Sequence, residues 1–262
     1  MPPLPRISRP LAAFLTPAPP RVLAHRGLAL EAPENTLLAF LKALAIGITH
    51  LETDVHASSD GIAMISHDPD LSRLSGRAQK VGQLTAEQLR GIDLGEGQGY
   101  CSLEEALDAF PDAKFNIDIK AGAAVQPTVD AILAAKAVDR VLIGSFSPAR
   151  RLAAISRMPG VATSVSSRGA VAAVAAAKAG ALPLLRRVLR DVDAVQLPVS
   201  VLRLDAMTPR AIRNFHAAGV EVHVWTINEP AEMQRLLDAG VDGLVTDRAD
   251  LALEVLAARL QR

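Results

Sequence analysis

The amino-acid sequence predicts an α/β fold, a TIM-type (β/α)8 barrel, and three observations support this prediction. From Val22 onward, short apolar or β-branched runs alternate with longer segments of helical period, which is the pattern of repeated βα units around a parallel sheet. The length of 262 residues is close to the roughly 250 residues of a typical barrel of this type. Half of the residues are hydrophobic but only 3% are aromatic, so Ala, Val, Leu and Ile must form the core, which suits strands buried on both faces.

Nine segments are strand candidates, one more than the barrel needs. One of them must lie outside the barrel, and the sequence does not say which. Gly47, Gly219 and Gly240 each separate a helical run from the next strand, where glycine supplies the left-handed cap that ends a helix. The strand candidates are residues 22–26, 50–56, 62–67, 114–119, 141–145, 161–165, 194–197, 221–226 and 243–246.

Two segments fall outside this βα pattern. Residues 1–20 contain seven of the 17 prolines and are predicted to form an irregular N-terminal arm, so that residues 21–262 make up the barrel domain. Residues 70–101 are rich in glycine, serine and polar residues around a short helical pattern at residues 85–89. We expect this second segment to form a small excursion after the third strand, near the barrel mouth.

Composition argues against several classes of function. Lys plus Arg and Asp plus Glu both number 28, so no overall charge attracts nucleic acid or an anionic membrane. The chain has no run of 18 apolar residues, so we expect no integral membrane segment. Cys101 is the single cysteine and cannot form an intramolecular disulfide, which fits a reduced, cytoplasmic setting. A local site for a small anion such as phosphate remains compatible with this neutral chain.

Polar residues end four consecutive strand candidates. In a (β/α)8 barrel the reactive groups lie at the C-terminal ends of the strands, so these residues are the candidates for chemistry. Side chains of a strand alternate between its two faces, so Glu52 and Asp54 point the same way. Asn116, Asp118 and Lys120 also share a face. The four strand ends are His25-Arg26, Glu52-Thr53-Asp54, His67-Asp68 and Asn116-Ile117-Asp118-Ile119-Lys120.

The carboxylates of Glu52, Asp54 and Asp118 predict a metal site. If their faces line the barrel mouth, the three groups converge and raise one another's pKa unless a cation lies among them. Hard oxygen ligands select Mg²⁺, Ca²⁺ or Mn²⁺ rather than zinc. We expect a divalent cation at this place, with Mg²⁺ as the first choice.

His25, His67, Arg26 and Lys120 predict chemistry on a phosphate group. Arg26 can hold two phosphate oxygens with its planar guanidinium group, and Lys120 adds a compact positive charge. Cleavage of a phosphodiester needs two proton transfers, one to activate the nucleophile and one to protonate the leaving alkoxide, and the two histidines can supply them. General acid and base steps give only about 10² to 10⁴ each, so charge stabilisation at the phosphoryl group must supply much of the remaining acceleration.

Nine short motifs follow one another along the chain. They are His25-Arg26-Gly27, Pro33-Glu34-Asn35-Thr36 with Ala39-Phe40, Glu52-x-Asp54-Val55, Asp60-Gly61, His67-Asp68, Asp118-Ile119-Lys120, Ser145-Phe146, Trp225-Thr226-x-Asn228 and Thr246-Asp247. Each motif alone is weak evidence for a protein family, but nine motifs in the right order are specific evidence. Together they resemble the ordered signature of glycerophosphodiester phosphodiesterases, and the match runs from Val22 to about Asp250.

This resemblance implies a TIM barrel of the PLC-like phosphodiesterase architecture and a Mg²⁺- or Ca²⁺-dependent hydrolase. Such an enzyme converts a glycerophosphodiester, a small-molecule substrate, to an alcohol and sn-glycerol 3-phosphate. The resemblance also implies roles for single residues. These are proton transfer by His25 and His67, metal binding by Glu52 and Asp54, and phosphate contacts from Arg26 and Lys120.

Two positions depart from the family pattern. The third metal ligand of the family is usually Glu, whereas this chain has Asp118, which is shorter by one methylene. The shorter side chain implies a different metal distance or a bridging water. The family often shows Arg-Thr-Thr after the His-Asp motif, whereas this chain has Arg73-Leu74-Ser75, which changes the contacts that this loop can make.

Four further residues have open roles. Trp225 is the only tryptophan and ends a strand, so we expect it to bind the apolar side of the substrate. Glu34 either belongs to the start of a helix or reaches the barrel mouth. Asp68 either orients His67 or caps the following turn. His56 lies on the same strand face as the predicted metal ligands and either touches substrate or is structural.

Two alternative functions remain open. A lysophospholipase D-like or other phosphodiesterase on the same fold would need an apolar entrance beside the mouth, and the low aromatic content argues against it. A non-catalytic phosphate-binding module would have lost a histidine or a ligand, and both histidines are present. The sequence leaves open the alcohol that is released, the physiological metal and the oligomeric state.

Overall fold

A computed structural model of the protein describes residues 13–261, so residues 1–12 of the predicted arm lie outside the described residues. The strands are β1 Arg21–His25, β2 His50–Ala57, β3 Ala63–Ile65, β4 Lys114–Ile119, β5 Val141–Gly144, β6 Ala162–Thr163, β7 Ala194–Leu197, β8 Ser200–Val201, β9 Leu204–Asp205, β10 Glu221–Val224 and β11 Gly243–Thr246. The helices are α1 Leu37–Ala45, α2 Ser72–Ser75, α3 Ala86–Arg90, α4 Leu103–Ala109, α5 Val125–Ala134, α6 Pro148–Ile155, α7 Ser167–Ala179, α8 Leu182–Val188, α9 Pro209–Ala218, α10 Pro230–Asp238 and α11 Ala249–Leu260.

Eight parallel strands form a barrel, which confirms the predicted fold. Their hydrogen-bonded order is β6-β5-β4-β2-β1-β11-β10-β7. The two ends of this order also meet, because the Val165 N–H donates to the Ala194 carbonyl at 3.1 Å and the Asp193 N–H donates to the Thr163 carbonyl at 2.8 Å. Within residues 13–261, no helix is long and apolar enough to cross a membrane.

Local signals fix where the helices of this barrel begin and end. Helix α1 begins after Thr36, whose hydroxyl accepts a hydrogen bond from the Ala39 N–H at 3.2 Å. Helix α9 is capped at its C-terminal end by Gly219, whose φ of 83° lies in the left-handed region. Gly47 and Gly240 adopt the same region after α1 and α10, as predicted.

The strand candidate at residues 62–67 is the one outside the barrel. It forms β3, which pairs antiparallel with the end of β2, with Val55 opposite Ile65. Strand β2 runs on past its last partner in β4, and the chain then turns back beside it. The segment looks like any other short apolar strand, so only its partner distinguishes it from a barrel strand.

The expectation that His67 ends a parallel barrel strand is therefore wrong. His67 follows β3, which runs against the barrel strands and returns toward the level of Asp54. The Ser66 N–H donates to the Asp54 carbonyl at 2.9 Å and fixes that return. His67 consequently reaches the barrel mouth from a hairpin.

The segment after β3 forms the predicted excursion around a hydrophobic cluster of its own. The predicted short helix is present as α3, and it begins with a capping box. The Thr85 hydroxyl accepts from the Gln88 N–H at 3.2 Å, and the Gln88 side chain accepts from the Thr85 N–H at 2.9 Å. The buried members of the cluster are Met64, Leu71, Val81, Ala86, Leu89, Ile92 and Tyr100.

A 3-10 turn at Ala13–Leu15 packs against the N-terminal end of the barrel. Phe14 is fully buried among side chains from several barrel strands. Its carbonyl lies 3.0 Å from Nε2 of His50, at the start of β2, and the Arg21 guanidinium donates to the Leu15 carbonyl at 3.0 Å. The part of the predicted arm that is described thus contributes to the core.

Candidate active site

A cavity of about 470 Å³ lies at the C-terminal ends of the barrel strands, where barrels of this type carry their active sites. The structure brings every predicted site residue to this cavity, although the residues come from five different places in the chain. The predicted residues that line it are His25, Arg26, Glu52, Asp54, His67, Asp118, Lys120 and Trp225.

Strand register explains why the acidic residues share this cavity. Asp54 of β2 pairs with Asp118 of β4, and Glu52 pairs with Asn116 in the same ladder. Paired residues of parallel strands lie side by side, and residues two apart on one strand share a face. His25 of β1 pairs with Glu52 on the other side of β2. Three neighbouring strands therefore present one continuous polar surface.

His25, the last residue of β1, forms a pair with Asp247, the first residue after β11. Its Nδ1 lies 2.6 Å from Asp247 Oδ1, and its Nε2 lies 3.9 Å from Glu52 Oε2. The Asn228 amide donates to Asp247 Oδ2 at 2.8 Å and accepts the Asp247 N–H at 3.0 Å, which holds the carboxylate in place. Burial alone would lower the pKa of His25, but the hydrogen bond to Asp247 and the charge of Glu52 outweigh burial and raise it.

His67 forms a second histidine–aspartate pair with its neighbour Asp68. Its Nδ1 lies 2.7 Å from Asp68 Oδ1, and Arg73 Nε donates to Asp68 Oδ2 at 2.6 Å. Burial would raise the pKa of Asp68, but the bonds from His67 and Arg73 lower it. Of the two roles considered for Asp68, the contact with His67 is the one that this geometry provides. His56 is not among the cavity-lining residues and instead bonds to the His67 backbone.

Glu52 is buried beside His25. Its Oε2 accepts the backbone N–H of Arg26 at 3.2 Å. Burial, followed by the negative charge of Asp54, raises the pKa of Glu52 to about 8. Ionised Glu52 therefore gains from any positive charge that comes close to it.

Lys120 places its ammonium group between Asp54 and Asp118. Its Nζ lies 2.7 Å from Asp54 Oδ1 and 2.8 Å from Asp118 Oδ2. Burial lowers the pKa of Lys120, but the two carboxylates outweigh burial and raise it. Two of the three predicted metal ligands thus meet a side-chain cation. In the described part of the chain, no three His, Cys, Asp or Glu side chains are arranged around a common point that could hold a metal ion.

Two buried oxygen atoms of the cavity have no hydrogen-bond partner among the described residues. They are Oδ1 of Asp118 and Oδ1 of Asn116. An unpaired buried oxygen is costly, and it is usually satisfied by a donor, a water or a cation. These two atoms therefore indicate where a ligand with hydrogen-bond donors or positive charge would be stabilised.

Arg26 follows β1 with a left-handed backbone, at a φ of 58°. Its NH1 donates to Glu34 Oε1 at 2.9 Å, and its Nε lies 3.5 Å from Asp54 Oδ2. Glu34 is not among the residues that line the cavity, but it contacts Arg26, which does line it. Of the places considered for Glu34, the structure therefore gives a contact with the cavity lining from outside the cavity.

Another part of the cavity lining is apolar. Phe146 meets Trp225 edge-on, with ring centroids 6.1 Å apart. Phe146 is 56% exposed and Leu202 is 74% exposed, so apolar side chains reach the opening. We call this part the apolar wall, and its main members are Phe146, Val165, Val171, Val201, Leu202 and Trp225.

Sequence reasoning gave no role to Asp247, Asn228 or Arg73. Asp247 directly follows the last barrel strand, so the rule applied to the first four strand ends would have found it. Asn228 follows the preceding barrel strand and supports Asp247. Arg73 lies in the excursion, and no local pattern indicates which acidic groups it meets.

The fold and the cavity together define an enzyme of the (β/α)8 barrel class, because ionisable groups with shifted pKa values gather where such barrels hold their active sites. The sequence matches the model of the Glycerophosphoryl diester phosphodiesterase family over residues 25–251. The chain therefore belongs to this family, and the enzyme class that the motifs predicted is confirmed.

Known proteins show the same relationship. The chain is 42% identical over 252 residues to the Mycobacterium tuberculosis protein named probable glycerophosphodiester phosphodiesterase 2, covering 95% of this chain and 96% of that protein. It is 26% identical over 263 residues to a lysophospholipase D of Rattus norvegicus, covering 87% of this chain and 83% of that protein. The structure of an Oleispira antarctica phosphodiesterase in complex with the product sn-glycerol-3-phosphate matches with a TM-score of 0.76 at 24% identity, covering 91% of this chain and 97% of that one. That last similarity shows the fold.

Proposed function

We propose that the protein hydrolyses a glycerophosphodiester to an alcohol and sn-glycerol 3-phosphate, with His25 and His67 as general acid and base. One observation carries this proposal: two histidines, each bound through Nδ1 to a carboxylate, line one cavity together with Arg26 and Lys120. The 42% identity to a relative named for this activity supports the substrate class.

The two histidine–aspartate pairs suit proton transfer at Nε2. A carboxylate that accepts a hydrogen bond from Nδ1 fixes the orientation of the ring and its tautomer. In the neutral ring, Nε2 then carries a lone pair and can accept a proton, and in the charged ring it carries a proton and can donate it. One histidine removes a proton from the attacking water, whose oxygen forms the new bond to phosphorus. The other histidine protonates the alcohol oxygen as its bond to phosphorus breaks.

Cationic and apolar side chains would orient the substrate. Arg26 and Lys120 would contact the phosphate oxygens, and Trp225 would pack against the apolar part of the alcohol. We place the protein in the cytoplasm, because its single cysteine, Cys101, is buried and has no partner for a disulfide.

A divalent cation held by Glu52, Asp54 and Asp118 is part of the proposal, with Mg²⁺ first and Ca²⁺ or Mn²⁺ as alternatives. The donor chemistry of the three residues suits such an ion, because all are hard oxygen donors and Asp118 Oδ1 lacks a partner. Their side chains do not surround a common point in this structure, so they would have to draw together around the ion. Lys120 already forms ion pairs with two of these carboxylates, so a cation must compete with it. When bound, the ion supplies positive charge that stabilises the charge developing on the phosphoryl oxygens.

Release of sn-glycerol 3-phosphate from glycerophosphocholine, glycerophosphoethanolamine and glycerophosphoglycerol tests the proposal. We expect turnover of at least one substrate with Mg²⁺, loss of turnover in EDTA, and recovery when Mg²⁺, Mn²⁺ or Ca²⁺ is added in excess. His25→Ala and His67→Ala should each lower kcat by at least about 10² with little effect on folding, because each removes a proton-transfer group. His216→Ala, at an exposed position outside the cavity, is the control and should keep full activity.

Three results would contradict parts of this proposal. Near-wild-type turnover in either active-site variant would remove that histidine from the mechanism. Full activity in chelator would remove the metal. If the protein hydrolyses none of the three diesters, glycerophosphodiesters of this kind are not its substrate class.

A second candidate function, lysophospholipase D activity, is favoured by the apolar wall. Low aromatic content argued against it, but Phe146 and Leu202 provide the apolar entrance that this function requires. We expect Phe146→Ser and Leu202→Ser to lower turnover of lysophosphatidylcholine much more than turnover of glycerophosphodiesters. Leu184→Ser, at a position that is 53% exposed outside the cavity, is the control. No lysolipid turnover by the wild type, or an equal loss on both substrates, would exclude this candidate.

A further inference from the structure

Five charged or titratable side chains form a continuous series of contacts at the cavity. The series runs through His67, Asp68, Arg73, Glu34 and Arg26, and we call it the ion-pair chain. One end is a proposed proton-transfer group and the other end is a proposed phosphate ligand. We propose that Arg73, at the centre of the ion-pair chain, is a positioning residue that holds both ends. This inference rests on the proposed function for the roles of His67 and Arg26.

Arg73 uses three N–H groups of its guanidinium to join two carboxylates. Its Nε donates to Asp68 Oδ2 at 2.6 Å. Its NH1 and NH2 donate to the two carboxylate oxygens of Glu34 at 2.9 and 2.6 Å. Only a planar guanidinium can form this two-pronged contact and still reach a third acceptor, so lysine cannot replace it. One rigid group thereby fixes the two carboxylates relative to each other.

On one side, the contact from Arg73 reaches His67. Asp68 accepts from Arg73 through Oδ2 and bonds His67 Nδ1 through Oδ1, at 2.7 Å. A carboxylate held at one oxygen has little freedom to rotate away from the ring that the other oxygen binds. The ring then keeps Nδ1 toward Asp68 and leaves Nε2 for proton transfer.

On the other side, the contact from Arg73 reaches Arg26. Glu34 Oε1 accepts from both arginines, at 2.6 Å from Arg73 NH2 and 2.9 Å from Arg26 NH1. The backbones of these segments are also tied together, because the Asn35 N–H donates to the Arg26 carbonyl at 2.9 Å. Loss of Arg73 would leave Glu34 held by Arg26 alone, and only the longer 3.5 Å contact between Arg26 and Asp54 would then fix the pair.

Orientation, rather than stability, is what these contacts provide. The side chains of Arg73 and Asp68 are 45% and 26% exposed, and ion pairs this exposed add little to the free energy of unfolding. Misplacement of a reacting group by about 1 Å, in contrast, can cost about 10²-fold in rate. Arg73 belongs to α2, in the excursion that Leu71 anchors through its own hydrophobic cluster. The excursion therefore contributes to the active site.

Steady-state kinetics of Arg73 variants on the diester that the wild type hydrolyses best test the proposal. We expect Arg73→Gln to lower kcat by about 10- to 100-fold and to raise KM several-fold, because it frees both ends of the ion-pair chain. Arg73→Lys keeps the charge but should not restore either constant. Arg77→Gln, at an exposed arginine of the same excursion, is the matched control and should behave as wild type.

Variants at the two carboxylates separate the two sides of the ion-pair chain. Asp68→Asn should mainly lower kcat, and Glu34→Gln should mainly raise KM. The double variant Arg73→Gln with Asp68→Asn should have nearly the kcat of Asp68→Asn alone, because both changes break the same connection. Fully additive losses in kcat would contradict that connection.

Ring ¹⁵N spectra of His67 supply a measurement that does not depend on turnover. The wild type should show one tautomer, with the proton on Nδ1, whereas Arg73→Gln and Arg73→Lys should show a mixture. If the wild type hydrolyses no diester, the proposed function fails while these spectra still decide the positioning role. Unchanged spectra and kinetics in Arg73→Gln, or full recovery in Arg73→Lys, would overturn the proposal.

Discussion

At the scale of single residues, Asp118 holds the most informative position in the cavity. One of its oxygens bonds Lys120, and the other is buried without a partner among residues 13–261. The side chain is one methylene shorter than the Glu usual in the family, so a metal bound here keeps room for water. Mg²⁺ and Mn²⁺ should therefore bind better than Ca²⁺, because Mg²⁺ retains its waters readily.

Calorimetric titration with Mg²⁺, Mn²⁺ and Ca²⁺ checks this prediction without using activity. Asp118→Ala should weaken binding of all three ions by about tenfold or more, since it removes a ligand. Asp118→Glu should shift the preference toward Ca²⁺, which tolerates a more flexible geometry. Asp139→Ala removes an exposed carboxylate elsewhere and should change nothing. Identical titrations for Asp118→Ala and wild type would show that Asp118 is not a ligand.

At the scale of secondary-structure elements, His216 links helix α9 to the turn before β11. Its Nε2 lies 2.7 Å from Asp242 Oδ2, and the same oxygen accepts the Val222 N–H of β10 at 2.8 Å. The hydrogen bond to Asp242, assisted by the negative charges of Asp242 and Glu221, raises the pKa of His216 against a smaller opposing effect of burial. A histidine whose pKa is higher in the folded state stabilises the fold below its unfolded pKa of about 6.5.

That stabilisation should disappear as the pH rises through the folded pKa of His216. We predict that His216→Asn lowers the free energy of unfolding more at pH 6 than at pH 9, by less than about 1 kcal/mol because solvent screens the pair. Urea unfolding at the two pH values measures the difference. Asp242→Asn should remove the pH dependence of the His216→Asn effect. An equal loss of stability at both pH values would mean that the ion pair contributes nothing.

At the scale of secondary-structure elements, strand pairing also explains why β3 is not a barrel strand. Its residues Ala63–Ile65 are as apolar as those of the barrel strands, and all three are buried. What differs is its partner, since His56 and Ala57, which lie beyond the barrel ladder of β2 and β4, pair with it in antiparallel register. Pairing is decided by which strand edge is available, and no local pattern encodes that.

At the scale of the whole molecule, Phe14 joins the N-terminal turn to the bottom of the barrel. It is fully buried and packs edge-on against His50, with ring centroids 5.0 Å apart. We predict that Phe14→Ala lowers the free energy of unfolding by about 3–5 kcal/mol, through lost burial and the cavity left behind. Activity per folded molecule should be unchanged, because Phe14 does not line the active-site cavity.

Denaturant unfolding, with kcat measured in native buffer, tests that prediction. Leu184→Ala removes an exposed side chain and should stay within about 0.5 kcal/mol of wild type. A loss below about 1 kcal/mol for Phe14→Ala would show that the N-terminal turn is only loosely attached to the barrel.

The sequence by itself determined the fold class and the ionisable residues that line the cavity. Repeating βα segments predicted the barrel, because strand and helix periods are local properties of the chain. Two-residue alternation then placed Glu52 with Asp54 and Asn116 with Asp118, and the rule for barrel strand ends brought those pairs to one mouth. These inferences need only local geometry and one general property of the fold.

Only the tertiary structure decided which groups meet inside that mouth. Asp247 reaches His25 across the junction between the first and last barrel strands, and Arg73 reaches Glu34 from the excursion. Lys120, predicted as a phosphate ligand, pairs with Asp54 and Asp118. Such contacts join residues far apart in sequence or depend on side-chain direction, so the free energy of the whole packed arrangement selects them, and periodicity carries no information about them.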